Sequence, residues 1–450
     1  LMEYRPLQFV IEACGGQPRG IDPAVKFQRV CTDTRKLQRG DLFVALRGEN
    51  FDGNQFAAAA IATGAVAAVV DSPCDAPVIL VEDTRLAFGN LAAAHRVEMD
   101  ATIFGIAGSN GKTSTKEMLA AILRAQMETL HSEASFNNDV GVPSTLMSIE
   151  LRHRAVVLEL GTNHPGELVP LVKMAAPQFG LLTGIGREHL EFFGNLEGVA
   201  REEGVLGELL PAGGKLFLYG DDDWSQSMAE RSNAPVITVG FGEANDWRAD
   251  NVQVTENGTH FVVRAPTEEW NGEYTTPLLG RHQAANATLG IAAAAGLGVN
   301  RETIARGLAE CLTPAMRLQL REKNGVRWLN DAYNANADSV AAALETLASL
   351  EVKGKRYAVL GDMAELGEHA EPAHREAGER AASRVDGLIA VGANAVITAG
   401  AARDAGLVKA EAVPDAEAAA CVLRKWLQSD DAVLLKASRA ARLEQLEDLI

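Results

Sequence analysis

The chain has 450 residues, 47% hydrophobic and 23% charged, a balance that excludes wholesale disorder, a collagen-like fibre and a coiled coil, and a length that accommodates about three domains. Its 42 Lys and Arg against 60 Asp and Glu give a net charge of −18. That charge argues against nucleic acid and anionic membranes as partners, and no Lys/Arg run supplies a local basic face.

In the first eighty residues, short apolar runs such as Asp41 to Leu46 and Ala65 to Val70 are divided by Gly-rich turns, which predicts a small α/β unit. The longest apolar stretch, Phe56 to Val70, is broken at Thr63-Gly64. It falls short of the ~20 residues that span a bilayer and reads as a helix followed by a strand. No basic segment leads into an apolar one near the first residue, so a signal peptide is not expected and a cytoplasmic location is. The cysteines Cys14, Cys31, Cys74, Cys311 and Cys421 are scattered without a CxxC pair, which argues against a disulfide framework or a thiolate zinc site.

Asp83 or Thr84 is placed to cap a helix running to about Met99. From Ala101 onward, apolar strands alternate with helices: Ala101 to Ala107, Ala155 to Leu160, Phe179 to Ile185, Lys215 to Tyr219 and Val236 to Val239. This is the pattern of a parallel, helix-covered sheet. Asn257-Gly258, between Asn251–Glu256 and Thr259–Arg264, predicts an appended hairpin. A third alternation begins near residue 314, with strands at Arg356 to Leu360, Gly387 to Val391 and Ala432 to Leu435; it is Rossmann-like without a GxGxxG fingerprint. The expected fold is α/β in three domains. Residues 1–83 form a small α/β domain, 84–313 a central P-loop-type parallel sheet with a helical linker at 84–100, and 314–450 a Rossmann-like domain.

The segment Ala101 to Ser114 carries the clearest chemistry. A strand leads into Gly105, Gly108 and Gly111, then Lys112-Thr113, then the helical run Lys116 to Leu123. Glycines let backbone N–H groups turn toward phosphate oxygens, and a helix N-terminus adds positive potential. Lys112 would neutralise the outer phosphates and Thr113 would offer an oxygen to Mg²⁺. The spacing is GxxGxxGKT rather than GxxxxGK[ST], because Ile106 stands where the first glycine would fall. Glu159 closes an apolar strand and needs a partner, either a salt bridge or a metal. His189 follows the strand and turn at Leu181 to Gly186 and by itself reads as structural. His369 and His374 are five apart, off one helical face, and read as surface residues.

Taken together, Gly105–Thr113, Asn137–Pro143, Leu158–Gly161 and Ile185–Leu190 resemble the segments with which the Mur ligases, ATP-dependent amide-forming enzymes of peptidoglycan precursor synthesis, hold nucleotide and metal. Asp331–Asn336, Val359–Glu368 and Leu435–Arg439 are similar to the members that add D-alanyl-D-alanine to a UDP-muramyl tripeptide. Asp33–Arg35 and Gly40–Gly48 are similar to their uridine-nucleotide segments. Departures are Ala337, Asn330, Ala437 and Ala134 in place of the usual Pro, Asp, Gly and Gly. A larger departure lies in the helix Gly198–Leu206, where Glu203 occupies the position at which the family commonly carries a CO₂-carbamylated lysine that binds the second Mg²⁺.

The resemblance implies that ATP phosphorylates the tripeptide's terminal carboxylate and that the amine of D-alanyl-D-alanine attacks the acyl phosphate. It casts Lys112, Glu159 and His189 as catalytic. Two Mg²⁺ ions would be held by Thr113 and Glu159 and by His189 and Glu203, the last already an anion and so able to act without CO₂; Ser132 and Asn138 lie nearby. Gly108, Ser109, Asn110, Gly111, Lys112, Thr113, Ser114, Asn286, Arg317 and Asp331 would hold ATP. Asp33, Thr34, Arg35 and Arg47 would hold the uridine end, with Asn138 also a substrate contact. Asn334, Asn336, Lys436, Ser438 and Arg439 would hold the dipeptide. The expected protein is a monomer with these small-molecule partners. Alternatives are another Mur-type or a folylpolyglutamate synthase-like ligase, a P-loop kinase or ATPase, and a non-enzymatic nucleotide-binding module.

Overall fold

The computed structural model describes residues 4–48 and 51–450. Its contacts divide the chain into two compact units, one of Leu1–Gly105, Met127–Gly161 and Val169–Pro177, the other of Ile106–Gln126, Thr162–Leu168 and Gln178–Ile450.

In the first unit, a five-stranded sheet has the order Gln17–Arg19, Val78–Leu80, Ala67–Val70, Leu42–Val44, Val30–Cys31. It is parallel except where Gln17–Arg19 runs antiparallel to Val78–Leu80. Within the two apolar runs, the strands Leu42–Val44 and Ala67–Val70 are buried along their length. The apolar stretch between them forms the helix Ala57–Thr63, which ends at Gly64 in a left-handed conformation (φ +119°). The helix Thr84–Val97 starts where the sequence placed it, with the Asp83 carboxylate accepting from the N–H groups of Arg85 and Leu86. The Thr84 hydroxyl donates to the Ala45 carbonyl at 2.9 Å. The same unit pairs Thr129–His131 in parallel with Ala155–Glu159.

In the second unit, the strands Phe179–Leu182, Lys215–Tyr219, Val236–Gly240 and Trp247–Thr255 pair in parallel, and Gly258–Arg264 and Gly272–Thr276 add antiparallel. Phe179–Leu182 is shorter than expected because Gly184 turns at φ +107°. That turn aims its carbonyl at the Ser109 N–H, 2.9 Å away. The expected hairpin is present with its turn one residue earlier. Gly258 is already paired with Thr255, so the loop is Glu256-Asn257. Gly258 is needed for a close approach instead, since a Cβ there would lie 2.2 Å from the Thr276 carbonyl oxygen. The Ala-rich helix Arg281–Gly296 is buried almost all round, as its lack of a polar face requires. It packs with Lys112–Arg124 and Arg301–Ala309. Gly307 permits the close packing of Arg301–Ala309 on Lys112–Arg124, because its Cβ would come within 2.6 Å of Ile122 Cα.

The last sheet has the order Gln319–Lys323, Val326–Asp331, Ala432–Lys436, Arg356–Gly361, Gly387–Val391, Ala410–Val413. It is parallel except for the antiparallel edge strand Gln319–Lys323. Alternate residues feed opposite faces. Leu329, Leu360, Leu388 and Leu434 join one buried cluster, and Trp328, Val359, Ile389 and Val433 join the other. Helices cover both faces, which is why these strands read as continuous apolar runs. One expectation fails here: His374 is not a surface residue but is 2% exposed. Its Nε2 accepts from the Met363 N–H at 3.1 Å and its Nδ1 pairs with the Ala370 carbonyl at 2.7 Å, an arrangement that depends on a turn eleven residues away. Among the described residues, no helix is long and apolar enough to cross a membrane.

Candidate nucleotide and acceptor sites

The strand Thr102–Ala107 delivers the chain to Gly108, and the helix Lys112–Arg124 begins four residues later. Gly108 turns at φ +113°, where a Cβ would lie 2.6 Å from Thr183 Oγ1; Gly111 turns at φ +90°, where a Cβ would lie 2.6 Å from Asn286 Oδ1. Both positions therefore demand glycine by conformation and by space. The loop is tied down by its neighbours: the Gly186 N–H donates to Ser109 Oγ at 2.8 Å, and Asn336 Nδ2 donates to Asn110 Oδ1 at 2.9 Å. Lys112 turns back along the loop, donating to the carbonyls of Gly108 and Ser109. Its ammonium lies 3.5 Å from Glu188 Oε1.

Glu203 is 1% exposed and accepts from the Gly108 N–H through Oε2 at 2.7 Å. It is thus buried against the phosphate loop rather than solvated. Glu202 turns the other way, to the N–H groups of Gly166 and Leu168 at 2.8 Å, so only one of the two adjacent glutamates serves the loop. Burial raises the carboxyl pKa of both Glu188 and Glu203, opposed by the Lys112 charge. In each, Oε1 has no hydrogen-bond partner. Two buried carboxylates, with Glu203 Oε1 lacking a hydrogen bond and Glu188 Oε1 meeting only the Lys112 ammonium at 3.5 Å, fit a hard divalent cation in charge and donor type, although no group of three or more His, Cys, Asp or Glu side chains among the described residues is arranged to hold a metal.

Two cavities of the second unit draw on the phosphate loop and the segments tied to it. One, of about 260 Å³, is lined by Asn110, Gly111, Ser114, Asn286, Arg317 and Asp331, all expected at the nucleotide. Tyr219, Phe241 and His282 also line it, with the Arg281 guanidinium 3.8 Å from the Phe241 ring centre. Burial lowers the His282 pKa to about 4. Arg317 donates to Thr113 Oγ1 at 3.3 Å and lies 4.1 Å from the Tyr333 ring centre. The residues on either side of it, Met316 and Leu318, are left-handed (φ +56° and +50°). Lys436, expected at the dipeptide, lines this cavity instead. It is 3% exposed, paired with Asp331 at 2.7 Å and bonded to the Asn334 carbonyl at 2.6 Å.

The other cavity, of about 370 Å³, brings together Glu188, His189, Asn334, Asn336, Ser438 and Arg439, with Glu365. His189 Nδ1 pairs with the Glu365 carboxylate, and burial is the main force lowering the His189 pKa. Both residues are left-handed (φ +49° and +59°), an unusual conformation for side chains of this size and one that recurs at functional sites.

In the first unit, the Glu159 carboxylate accepts from Asn137 Nδ2 at 3.0 Å, and its N–H donates to Ser132 Oγ at 3.2 Å. The Asn138 side chain accepts from the N–H groups of Val140 and Gly141, so its oxygen serves the entry to the helix Gly141–Leu146. Asp33 pairs with Arg35 at 2.8 Å, which with the Arg35 N–H holds its carboxyl at about 2, and Thr34 opens the short turn that Asp33 caps. Arg47 pairs with Asp71 at 2.8 Å. A cavity of about 350 Å³ nearby in sequence is lined by Arg29, Thr32, Ser144, Ser148 and Glu150. Glu188 and Glu365 lay inside motifs already singled out, and their chemistry became visible only through neighbours far along the chain. Tyr219, Phe241 and His282 gave no local signal.

Family models match in chain order: "Mur ligase family, catalytic domain" over residues 26–96, "Mur ligase middle domain" over 106–294, and "Mur ligase, glutamate ligase domain" over 316–439. The chain is 38% identical over 452 residues to UDP-N-acetylmuramoyl-tripeptide–D-alanyl-D-alanine ligase of Escherichia coli strain K12, covering 98% of this chain and 97% of that one. The chain belongs to the Mur ligase family. Among solved Mur ligases, MurF from Acinetobacter baumannii is similar with a TM-score of 0.92 at 31% identity, covering 100% and 99% of the two chains. MurF from Thermotoga maritima, solved in complex with ADP, gives 0.82 at 27% identity over 94% and 96%.

Proposed function

We propose that this Mur ligase joins D-alanyl-D-alanine to the terminal carboxylate of a UDP-N-acetylmuramoyl tripeptide at the expense of ATP, releasing ADP and phosphate. The observation that carries the reading is the pair of cavities bridged by the Asn110–Asn336 bond, which we read as a nucleotide site and a site for a small zwitterion. A carboxylate is a poor electrophile because its leaving group would be oxide. Transfer of the γ-phosphoryl group makes an acyl phosphate, and attack by the dipeptide amine then expels phosphate and forms the amide.

Lys112 leaves the loop carbonyls to neutralise the transferring phosphoryl group, and Gly108 to Ser114 present backbone N–H groups to the phosphates. Asn286, Arg317 and Asp331 hold the rest of the nucleotide, with Arg317 reaching it from beside Thr113. Ser438 and Arg439 receive the dipeptide carboxylate, and Asn334 and Asn336 its peptide group. Lys436 belongs with the nucleotide cavity that it lines. Asp33, Thr34, Arg35, Arg47 and Asn138 hold the uridine-bearing substrate. In the second unit Thr113, His189 and Glu203, with Glu188, are the residues that would hold Mg²⁺, which when bound screens the negative charge of the transferring group; in the first unit Glu159 is the candidate ligand. We assign the three domains to residues 1–83, 84–313 and 314–450, and a monomeric protein in the cytoplasm.

Phosphate release with ATP and UDP-N-acetylmuramoyl tripeptide tests the reading. It should require D-alanyl-D-alanine and ignore glutamate, and dependence on glutamate would establish the folylpolyglutamate synthase-like alternative.

A further inference from the structure

The loop Ile185–Leu190 carries Glu188 and His189, which line the acceptor cavity, and Arg187, which lines neither cavity. The Arg187 guanidinium is nevertheless fully engaged. Its Nε and Nη2 donate to Asp338 Oδ1 at 2.9 and 2.6 Å, and its Nη1 donates to Glu376 Oε2 at 2.5 Å. Its backbone N–H donates to Asp338 Oδ2 at 2.7 Å. Glu376 is held in turn by Arg380 at 2.7 Å. Charged hydrogen bonds from a rigid planar fork fix direction as well as distance.

The Asp338 bonds hold the first turn of the helix Ala337–Ser349, and the Glu376 bond ties Arg187 to the helix Ala370–Ala382 that packs against it. That turn starts at Asn336, which lines the acceptor cavity and bonds Asn110, and continues through Asp338 and Ser339, which line the nucleotide cavity. On the other side of Arg187, the Gly186 N–H is fixed to Ser109 of the phosphate loop. Arg187 therefore stands where the phosphate loop and the wall of the acceptor cavity are joined.

We propose that Arg187 is a positioning residue: through Asp338, and through Glu376 on the neighbouring helix Ala370–Ala382, it sets the helix Ala337–Ser349 in register with the phosphate loop, so that the bound amine meets the acyl phosphate before water does. This rests on the ligase reading above. The acyl phosphate has two fates. Attack by the amine at the acyl carbon forms the C–N bond, breaks the C–O bond to phosphate and loses the ammonium proton to solvent. Attack by water breaks the same bond, restores the carboxylate and releases the same phosphate with no amide. Loss of register favours the second fate.

The test measures phosphate and amide separately, at varied D-alanyl-D-alanine, for the native enzyme, Arg187→Ala, Arg187→Lys and Asp338→Asn. The native enzyme should release one phosphate per amide. Arg187→Ala should raise the dipeptide KM by about tenfold, the equivalent of one misaligned hydrogen bond to the bound dipeptide, and release phosphate in excess of amide. Arg187→Lys should recover part of both effects, and Asp338→Asn should repeat them, providing the reading if Arg187→Ala does not fold. Unchanged KM and coupling in the folded variants, or a fall in kcat alone that Arg187→Lys does not recover, overturns the proposal. A native enzyme that ignores the dipeptide overturns the ligase reading instead.

Discussion

Glu203 is a buried carboxylate that accepts from the Gly108 N–H of the phosphate loop and faces the Lys112 charge, and in the proposed reading it is a ligand of Mg²⁺. The resemblance puts a carbamylated lysine at this position in relatives. Native activity should therefore be the same in CO₂-depleted buffer with and without added bicarbonate. Glu203→Lys should lose activity and regain part of it when bicarbonate is supplied, with phosphate release as the measurement. Lys112→Ala should lower amide formation by at least about a hundredfold while far-UV circular dichroism stays native, because the ammonium's partners include the Gly108 and Ser109 carbonyls and the Glu188 carboxylate of its own site.

His282 supplies a pH prediction. Its pKa is lowered to about 4 by burial, against about 6.5 in an unfolded chain. Between those values the unfolded state binds the extra proton, so stability is complete above about pH 6.5 and falls as the pH drops toward 4. The loss at the acid end should be about 3 kcal/mol; His282→Gln should flatten that slope in urea unfolding at stepped pH. Lys112 and Thr113 were legible because a phosphate loop is written in consecutive residues. Glu188 was not, because its significance comes from Glu203 and Lys112, which only folding brings to it.

Elements whose signals are local read well, and those that depend on packing do not. Asp83 caps its helix from two residues away, a relation visible in sequence. The burial of His374 and the need for glycine at 258 both come from neighbouring segments and were misread. Asn336 combines the two kinds of information. Its oxygen caps the helix Ala337–Ser349 in a capping box with Ser339, while its amide nitrogen donates to Asn110. Asn336→Ala should cost about 1 kcal/mol of stability and raise the dipeptide KM. Asn336→Asp retains the capping oxygen and should keep the stability while still raising KM. Denaturant titration alongside steady-state kinetics separates the two roles.

At the scale of the whole molecule, composition gave the number of domains to expect and the sign of the field, and motif order gave the family. The division of contacts into two units had no counterpart in sequence, because it depends on which segments pack rather than on where runs begin. A chain with a net charge of −18 must admit two anionic substrates to a few local cations. Its long-range field opposes their approach, so kcat/KM for the UDP-linked substrate should rise as ionic strength increases from about 10 to 150 mM, where the screening length shortens to about 8 Å. Stopped-flow or steady-state rates across a salt series read this directly.

The strand Ala432–Lys436 lies between Val326–Asp331 and Arg356–Gly361 in its sheet, yet it is the last of those strands to leave the ribosome. Until it emerges, the nascent sheet has a gap at its centre, with two unpaired backbone edges facing it. Such edges are templates for mispairing. The residues that complete both cavities, Lys436, Ser438 and Arg439, arrive with that strand or just after it. Closing the gap, completing the sheet and assembling the sites are therefore one event, and a chain halted before residue 432 would be both inactive and prone to aggregate.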